Sequence, residues 1–152
     1  MKQIVNPFNI IGISVRTNNN DPQKLTQEMQ GLWGKFMSEN LLSQIPNKLN
    51  NSIYCVYTDY AGDYTGDYTA ILGCQVSDLN EIPEGLLGRN FNGGDYNKYT
   101  AKGNLNNGIV YNEWKQIWNS GIARSYTADF EVYSEKAYDP INAEVDIFIA
   151  IP

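Results

Sequence analysis

Residues 52–77 form the segment SIYCVYTDYAGDYTGDYTAILGCQVS. Its two ends, residues 52–60 and 68–77, are rich in β-branched and aromatic side chains, as is typical of strands. Between them, AGDYTGD concentrates Gly and Asp, which favour tight turns. The segment therefore predicts a β-hairpin.

A strand and a helix are predicted before this hairpin. Residues 8–17, FNIIGISVRT, are β-branched and end in the polar loop NNNDP, which favours the start of a helix. Apolar side chains then recur at three- and four-residue spacings over residues 22–43, which indicates an amphipathic helix with one buried stripe. The first half of the chain is thus predicted to be β-α-β-β.

The same order is predicted for the second half. A strand is expected over residues 87–100, bent at Gly93 and Gly94, because paired glycines often mark a break. A helix over residues 109–120 precedes two closing strands over 126–135 and 143–151. We therefore predict one α+β domain spanning residues 1–152.

We interpret this domain as a tandem duplication of a β-α-β-β unit, with pseudo-repeats over about 1–80 and 81–152. The strands would form one antiparallel sheet with the two main helices on one face, leaving a ligand groove between the halves.

Alternation along the last strands predicts which side chains share a face. Ile147 and its apolar neighbours at every second position are expected to meet the helices, with Phe148 on the opposite face. In the preceding strand, Phe130 and its neighbour Val132 are likewise expected to face the helices. Glu131 and its neighbours Asp129 and Tyr133 would then share the opposite face with Phe148.

Charge and composition narrow the functional classes. Seventeen acidic residues against eleven basic ones give a net charge of −6, which disfavours direct binding of nucleic acid. The chain has no His, so His-dependent hydrolases and most transition-metal sites are disfavoured. We expect no metal and no cofactor. Apolar stretches are shorter than the roughly 20 residues of a membrane span, and no signal-peptide pattern opens the chain, so we expect a cytoplasmic protein without a membrane partner.

Two cysteines, Cys55 and Cys74, fall in the two strands of the predicted hairpin. Their spacing matches no metal or redox motif. Buried reduced thiols are the favoured interpretation, and a disulfide between the strands is the alternative.

An ordered set of segments resembles the effector-binding domain family, which includes the ligand-binding modules of AraC-type and BmrR-type multidrug regulators and stand-alone gyrase-inhibitor-like proteins. The segments cover nearly the whole chain: IIGISVRT, LWGKF, IYCVYTDYAGDYTGDYTAILGCQV, IPEGL, GGDYNKYTAKG, VYNEWKQIWNSG, TADFEVY and VDIFIAIP. The regulators carry an additional DNA-binding domain, for which this sequence has no room. The resemblance therefore implies an isolated binding module.

The resemblance also implies a site. In this family an aromatic groove between the halves binds the ligand, and a glutamate on the penultimate strand pairs with a cationic drug. Glu131 in DFEVY matches that position. A solvated glutamate on an exposed face is the alternative.

Further ligand-binding candidates are aromatic side chains of the predicted groove. Each could instead be ordinary core or cross-strand packing, and the register of the hairpin is open because a slip of one residue reverses every face. Tyr60 and Tyr64 also border the hairpin, but they are not among the predicted ligand-binding residues. The candidates besides Glu131 are Tyr133, Phe148, Trp33, Trp114, Tyr57, Tyr68 and Tyr126.

The leading hypothesis is a protein that binds a cationic or amphipathic organic molecule, as a sensor, a sequestering protein or the effector module of a regulator. One alternative, implied by the same family, is a hydrolase of reactive alkylating molecules in which Glu131 acts with Tyr57 or Tyr133. A second is a protein-interaction module such as a gyrase inhibitor. Both a monomer and a homodimer are compatible with the sequence.

Overall fold

The computed structural model describes residues 2–152, which form an eight-stranded antiparallel sheet and three α-helices. The strands are β1 (Lys2–Val5), β2 (Phe8–Thr17), β3 (Ile53–Thr58), β4 (Tyr68–Val76), β5 (Leu87–Phe91), β6 (Gly94–Gly103), β7 (Ala128–Tyr133) and β8 (Ala143–Ala150). The helices are α1 (Pro22–Ser38), α2 (Leu41–Gln44) and α3 (Ile109–Asn119), with short 3-10 turns at Leu105–Asn107 and Glu135–Ala137. The predicted α+β class, with an antiparallel sheet and two main helices, is confirmed.

The sheet order is β1-β6-β8-β7-β3-β4-β2-β5. If β1 to β4 are renamed β5 to β8 and β5 to β8 are renamed β1 to β4, the same order is obtained, read from the opposite edge of the sheet. β3 and β7 are neighbours at its centre, whereas β1 pairs with β6 and β5 pairs with β2 across the two halves. This symmetry agrees with an internal duplication, which itself stays a prediction.

Local sequence explains both main helices. The side chain of Asp21 accepts a hydrogen bond from the backbone N–H of Lys24, and Pro22 follows this cap in the first turn of α1. The helix predicted over 22–43 is interrupted, because Asn40 has a left-handed backbone with φ of 50° and separates α1 from α2. Gly108, with φ of 70°, precedes α3.

Both faces of the sheet are buried. On one face, Phe36 of α1 and Trp114 of α3 pack on β-strand side chains such as Leu72 and Ile147. The buried cluster on the other face contains no helical side chain from residues 2–152. The sheet curls there, so that rings from distant strands meet, and they include Phe8, Phe91, Tyr96 and Phe130.

This second buried face corrects the predicted orientation of β7. Glu131 pairs in register with Ile147, and so lies on the face covered by the helices. Phe130 and Val132 instead face the curled side, where Phe130 stacks on Phe148 with ring centroids 4.7 Å apart. The expectation was wrong because it assumed that the apolar residues of β7 must meet the helices, whereas the curled sheet supplies a second apolar core.

The predicted strand over residues 87–100 is also corrected. The chain turns at Gly93 and Gly94, whose φ angles of 71° and 127° suit glycine, and forms β5 and β6 instead. These strands lie in different parts of the sheet, since β5 pairs with β2 and β6 pairs with β1 and β8. The short β1 was not predicted, because its four polar and apolar residues give little pattern.

Cys55 and Cys74 are both buried free thiols, in agreement with the favoured interpretation. Cys55 lies opposite Leu72 in the hairpin. None of the helices in residues 2–152 is long and apolar enough to cross a membrane.

Candidate functional site

A cavity of about 620 Å³ lies between α1 and α3, above the central strands β3 and β7. Its lining is mainly aromatic and apolar, and Glu131 and Arg124 are its only charged members among the described residues. The cavity thus lies where the two halves of the chain meet. The aromatic members of its lining are Trp33, Tyr57, Tyr60, Tyr64, Tyr68, Tyr111, Trp114, Trp118 and Tyr133.

Glu131 lies at the floor of this cavity and is 2% exposed. Its Oε2 accepts hydrogen bonds from Trp114 Nε1 at 2.6 Å and from the Tyr57 hydroxyl at 3.0 Å. Its Oε1 accepts a hydrogen bond from the Tyr133 hydroxyl at 2.8 Å. All three donors are electrically neutral, and no ion pair of Glu131 occurs within residues 2–152.

Burial raises the pKa of Glu131, because the charged form loses its hydration. The hydrogen bonds from Tyr133, Trp114 and Tyr57 oppose this shift, but the pKa remains above its usual value. The site therefore holds a carboxylate that is satisfied in hydrogen bonds but not in charge.

Edge-to-face ring contacts hold the aromatic side chains around Glu131. Tyr57 lies 5.5 Å from Trp114 and 5.6 Å from Tyr68 between ring centroids, at nearly perpendicular angles. Trp33 of α1 meets Tyr133 of β7 in the same way at 4.9 Å. These contacts fix the ring planes that a ligand would meet.

A stacked pair joins the two halves at another part of the cavity lining. Tyr64, in the β3–β4 loop, stacks on Trp118 of α3 with ring centroids 5.6 Å apart and an interplanar angle of 7°. Asn19 holds the loop by donating from Nδ2 to the carbonyl oxygen of Tyr64 at 2.9 Å. Its Oδ1 accepts a hydrogen bond from the Tyr68 hydroxyl at 2.6 Å.

A buried ion pair forms a further part of the site. Arg124 donates from Nη2 to Asp129 Oδ2 at 2.6 Å, and their side chains are 3% and 0% exposed. The Tyr60 hydroxyl donates to the same oxygen at 2.6 Å, and the backbone N–H of Ala150 donates to Oδ1 at 2.8 Å. The guanidinium lies over the ring of Tyr126, 4.4 Å from its centroid.

No group of three His, Cys, Asp or Glu side chains in residues 2–152 is placed to hold a metal ion. The chemistry that the cavity offers is therefore that of one uncompensated carboxylate, one ion-paired guanidinium, tyrosine hydroxyls and aromatic faces.

Six of the eight predicted ligand-binding residues line this cavity. They are Glu131, Tyr133, Trp33, Trp114, Tyr57 and Tyr68. Phe148 does not, because it points to the curled face of the sheet and lines a different cavity there with Phe130. Tyr126 does not line the cavity either. It precedes β7 rather than beginning it, has φ of 55°, and contacts two lining residues, Tyr60 and Arg124.

Sequence reasoning did not select several lining residues. Trp118 follows Trp114 by one helical turn on α3, a spacing that could have placed both on the cavity. Tyr60 and Tyr64 lie at the hairpin loop, where no strand alternation predicts the direction of a side chain. Nothing in the sequence indicates that Arg124 lines a cavity.

The fold and this aromatic cavity are those of an effector-binding protein, and the family model confirms the class. The model described as Cass2, integron-associated effector binding protein, matches residues 4–151. The chain belongs to this family.

Relatives extend this finding. YobU of Bacillus subtilis strain 168, named as a proposed transcriptional regulator protein, is 28% identical over 145 residues, covering 92% of this chain and 89% of YobU. The integron cassette protein VCH_CASS2 from the mobile metagenome of Vibrio cholerae is 29% identical with a TM-score of 0.78, covering 100% of this chain and 95% of that chain. SAV2435, solved bound to tetraphenylphosphonium, shares the fold with a TM-score of 0.79 at 12% identity, covering 100% of this chain and 93% of that chain.

Proposed function

We propose that this protein binds an organic cation with aromatic or amphipathic character, whose positive charge pairs with Glu131. The observation that carries the proposal is the environment of Glu131, a 2% exposed carboxylate whose three hydrogen-bond donors are all neutral. A buried charge without a counter-ion is costly, and a bound cation would remove that cost.

The walls of the cavity suit the same ligand. A cation over the face of a Trp or Tyr ring gains about 0.5–2 kcal/mol, and the rings of Trp33, Tyr57 and Trp114 lie around the carboxylate. Apolar lining residues such as Leu25 and Met29 of α1 offer surface for the uncharged part of the molecule. A cavity of about 620 Å³ accommodates a drug-sized compound.

The names of the relatives support a role in regulation and in binding a small molecule. YobU is named as a proposed transcriptional regulator protein, and SAV2435 was solved with tetraphenylphosphonium, an aromatic cation. We propose that this chain acts as a small-molecule sensor or effector module for transcription, and that it accepts several cationic drugs. We propose that this module is of the kind found in AraC-type transcription regulators.

The hydrolase alternative is less well supported. In that reaction Tyr57 or Tyr133 would donate a proton, but both hydroxyls already donate to Glu131. Burial raises the pKa of each tyrosine well above its usual value, which makes it a weaker acid. The same cluster is well arranged for holding a cation, which requires no proton transfer.

Titration with tetraphenylphosphonium, followed by tryptophan fluorescence, tests the proposal. Trp114 contacts the carboxylate and Trp33 lines the same cavity, so saturable quenching is expected. Glu131→Gln keeps the shape and is expected to weaken binding at least about tenfold, equivalent to roughly 1.4 kcal/mol.

Glu135→Gln is the matched control, because it removes the same charge from an exposed position four residues away. Equal weakening by both variants would show a general effect of net charge and would contradict the proposal, as would unchanged affinity in Glu131→Gln.

A further inference from the structure

The side chain of Asn19 makes hydrogen bonds to two tyrosines that line the cavity. Its Nδ2 donates to the carbonyl oxygen of Tyr64 at 2.9 Å, and its Oδ1 accepts from the Tyr68 hydroxyl at 2.6 Å. Because a carbonyl oxygen can only accept, the amide nitrogen must face Tyr64, which leaves the amide oxygen for Tyr68. Asn19 itself lines the cavity, and these two bonds define one orientation of its amide.

The neighbours of Asn19 attach the same β3–β4 loop. Asn18 donates from Nδ2 to Asp67 Oδ1 at 3.0 Å, and Asn20 donates from Nδ2 to the carbonyl oxygen of Thr65 at 2.9 Å. Three consecutive asparagines thus tie this loop to the segment that precedes α1.

The stack of Tyr64 on Trp118 would not hold this loop by itself. A ring pair contributes no more than the conformational entropy that is lost when one loop residue is ordered. Hydrogen bonds within the loop, such as that from the N–H of Ala61 to the carbonyl oxygen of Asp67 at 2.8 Å, shape the loop but do not direct it toward α3. We therefore expect the ring of Tyr64 to depend on the asparagines for its place at the cavity.

One series of contacts leads from Tyr68 to Glu131. The rings of Tyr68 and Tyr57 meet edge to face with centroids 5.6 Å apart, and the Tyr57 hydroxyl donates to Glu131 at 3.0 Å. Through Tyr68, Asn19 thus supports a ring that contacts the carboxylate.

A second series leads from Tyr64 to the same carboxylate. Tyr64 stacks on Trp118 with centroids 5.6 Å apart, and Trp118 lies 6.3 Å from Trp114 between centroids. The indole of Trp114 donates to Glu131 at 2.6 Å. Because the rings of both series line the cavity, a ligand whose charge lies at Glu131 can extend along them toward Asn19.

We propose that Asn19 is a positioning residue, which holds Tyr64 and Tyr68 so that the cavity prefers an aryl group to an alkyl group on a bound cation. The inference rests on the proposed function and narrows the class of ligand. With its charge at Glu131, such a ligand would place its aryl group against the rings that Asn19 holds. Aromatic pairs depend on the angle between the rings, so rings that are already held in place favour an aryl group beyond its apolar area.

Two cations that differ in one ring test this preference: (biphenyl-4-ylmethyl)trimethylammonium and (4-cyclohexylbenzyl)trimethylammonium. The saturated ring is at least as apolar as phenyl, so burial of apolar surface alone would not favour the biphenyl probe. Isothermal titration of wild-type protein is expected to show about fivefold tighter binding of the biphenyl probe. Equal affinity of wild type for the two cations overturns the inference.

Asn19→Leu keeps nearly the same side-chain size and removes both hydrogen bonds. Its preference for the biphenyl probe is expected to fall below about twofold, with the cyclohexyl probe bound within about threefold of wild type. Tyr64→Leu removes the ring itself and is expected to lose the preference as well. A preference that persists in either variant overturns the inference.

Asn90→Leu is the matched control, because Asn90 is exposed on β5 and donates to Asn9 at 2.8 Å. Its preference for the biphenyl probe is expected to equal that of wild type. Loss of the preference in this control would show that any Asn→Leu change has the effect, and would overturn the role of Asn19.

Near-ultraviolet circular dichroism of the free proteins tests the positioning role without a ligand. The contribution of the Tyr64–Trp118 stack is expected to disappear in Tyr64→Leu, and to the same extent in Asn19→Leu. A spectrum of Asn19→Leu equal to that of wild type overturns the positioning role.

Glu131→Gln separates this inference from the proposed function. It is expected to weaken binding of both cations and to leave their ratio unchanged. Equal wild-type affinities that both fall in Glu131→Gln overturn the inference and leave the proposed function intact. If neither cation binds wild type, the proposed function and the aryl preference are both overturned, and circular dichroism still decides whether Asn19 positions Tyr64.

Discussion

The indole of Trp114 donates to the carboxylate of Glu131 across the junction between helix α3 and strand β7, with 2.6 Å between Nε1 and Oε2. The Tyr57 hydroxyl reaches the same oxygen from β3, in the other half of the chain. Donors from both halves of the chain thus stabilise the carboxylate of Glu131. Protonation of this group can be followed in experiments at different pH.

Affinity for a permanent cation is expected to depend on pH. Because burial raises the pKa of Glu131, the group is protonated and neutral to higher pH than an exposed glutamate. Binding of tetraphenylphosphonium should therefore strengthen as pH rises and level off once Glu131 is ionised. Isothermal titration across pH 4–9 measures this, and a flat profile is expected for Glu131→Gln. A wild-type profile as flat as that of the variant would contradict an ionising Glu131 at the binding site.

Stability of the free protein should change with pH in the opposite direction. The pKa of Glu131 in the folded protein lies above its ordinary value of 4.5, so the folded state binds the proton more tightly than the unfolded state. The resulting contribution to the free energy of unfolding is fully present below pH 4.5 and is lost as pH rises through the folded-state pKa. Gln can replace Glu131 with its carbonyl accepting from Trp114 and its amide donating to Tyr133. Glu131→Gln should gain stability over wild type as pH rises. Urea unfolding at pH 4 and pH 8 measures this, and a constant difference would refute it.

The Tyr57 hydroxyl should tune the carboxylate. Tyr57→Phe removes a donor to Glu131, and a hydrogen bond to a charged group contributes about 1.5–3 kcal/mol. The pH profile of cation affinity should move to higher pH. Tyr54→Phe is the control, because Tyr54 lies on the same strand but packs on the curled face, where its hydroxyl donates to Gln75. An identical shift in both variants would rule out a specific effect on Glu131.

The buried and exposed ion pairs should differ in their contribution to stability. Arg124→Met leaves Asp129 charged and 0% exposed, which is expected to cost about 3–5 kcal/mol. Arg89→Met breaks a pair with Asp59 whose side chains are 38% and 45% exposed, and should cost no more than about 1 kcal/mol. Chemical denaturation of both variants measures the two costs, and similar values would contradict the burial argument.

Close approach of β2 and β4 predicts a further contrast. Gly12 and Gly73 face each other, and a Cβ on Gly73 would collide with the carbonyl group of Ile11. Gly73→Ala is expected to destabilise the protein by at least about 1–3 kcal/mol. Gly31→Ala, in α1 with open space around it, should stabilise the helix by about 0.5–1 kcal/mol. Thermal unfolding of the pair tests the contrast, and equal shifts in Tm would contradict it.

Elements with a strong period could be predicted from the sequence. β2 covers residues 8–17 as expected, and α3 ends one residue before the predicted boundary at Ser120. The helical spacing in α3 reflects packing on one face of the sheet, whereas β2, whose Ile10 and Ile11 lie in different cores, is recognisable from its β-branched composition. The antiparallel sheet and the groove between halves followed from these elements together with the family resemblance.

The faces of β7 could not be predicted, because both sides of this strand are buried. Phe130 packs on the curled face, while Glu131 is buried under the helices, where it accepts three hydrogen bonds. A rule that places apolar residues inward has no means of choosing between two interiors. The position of Arg124 was equally inaccessible, since it depends on a partner in β7 and on rings from several segments.

Neither half of the chain has a complete sheet of its own, because β1 extends the second half and β5 extends the first. Pulling the halves apart would therefore require breaking hydrogen bonds in three places: at both exchanged strands and along the β3–β7 seam beneath Glu131. These hydrogen bonds oppose widening of the cavity by separation of the strands at its floor. Adjustment to ligands of different size is therefore expected in the helices and in the Tyr64–Trp118 stack, with the charge on the central strands held in place.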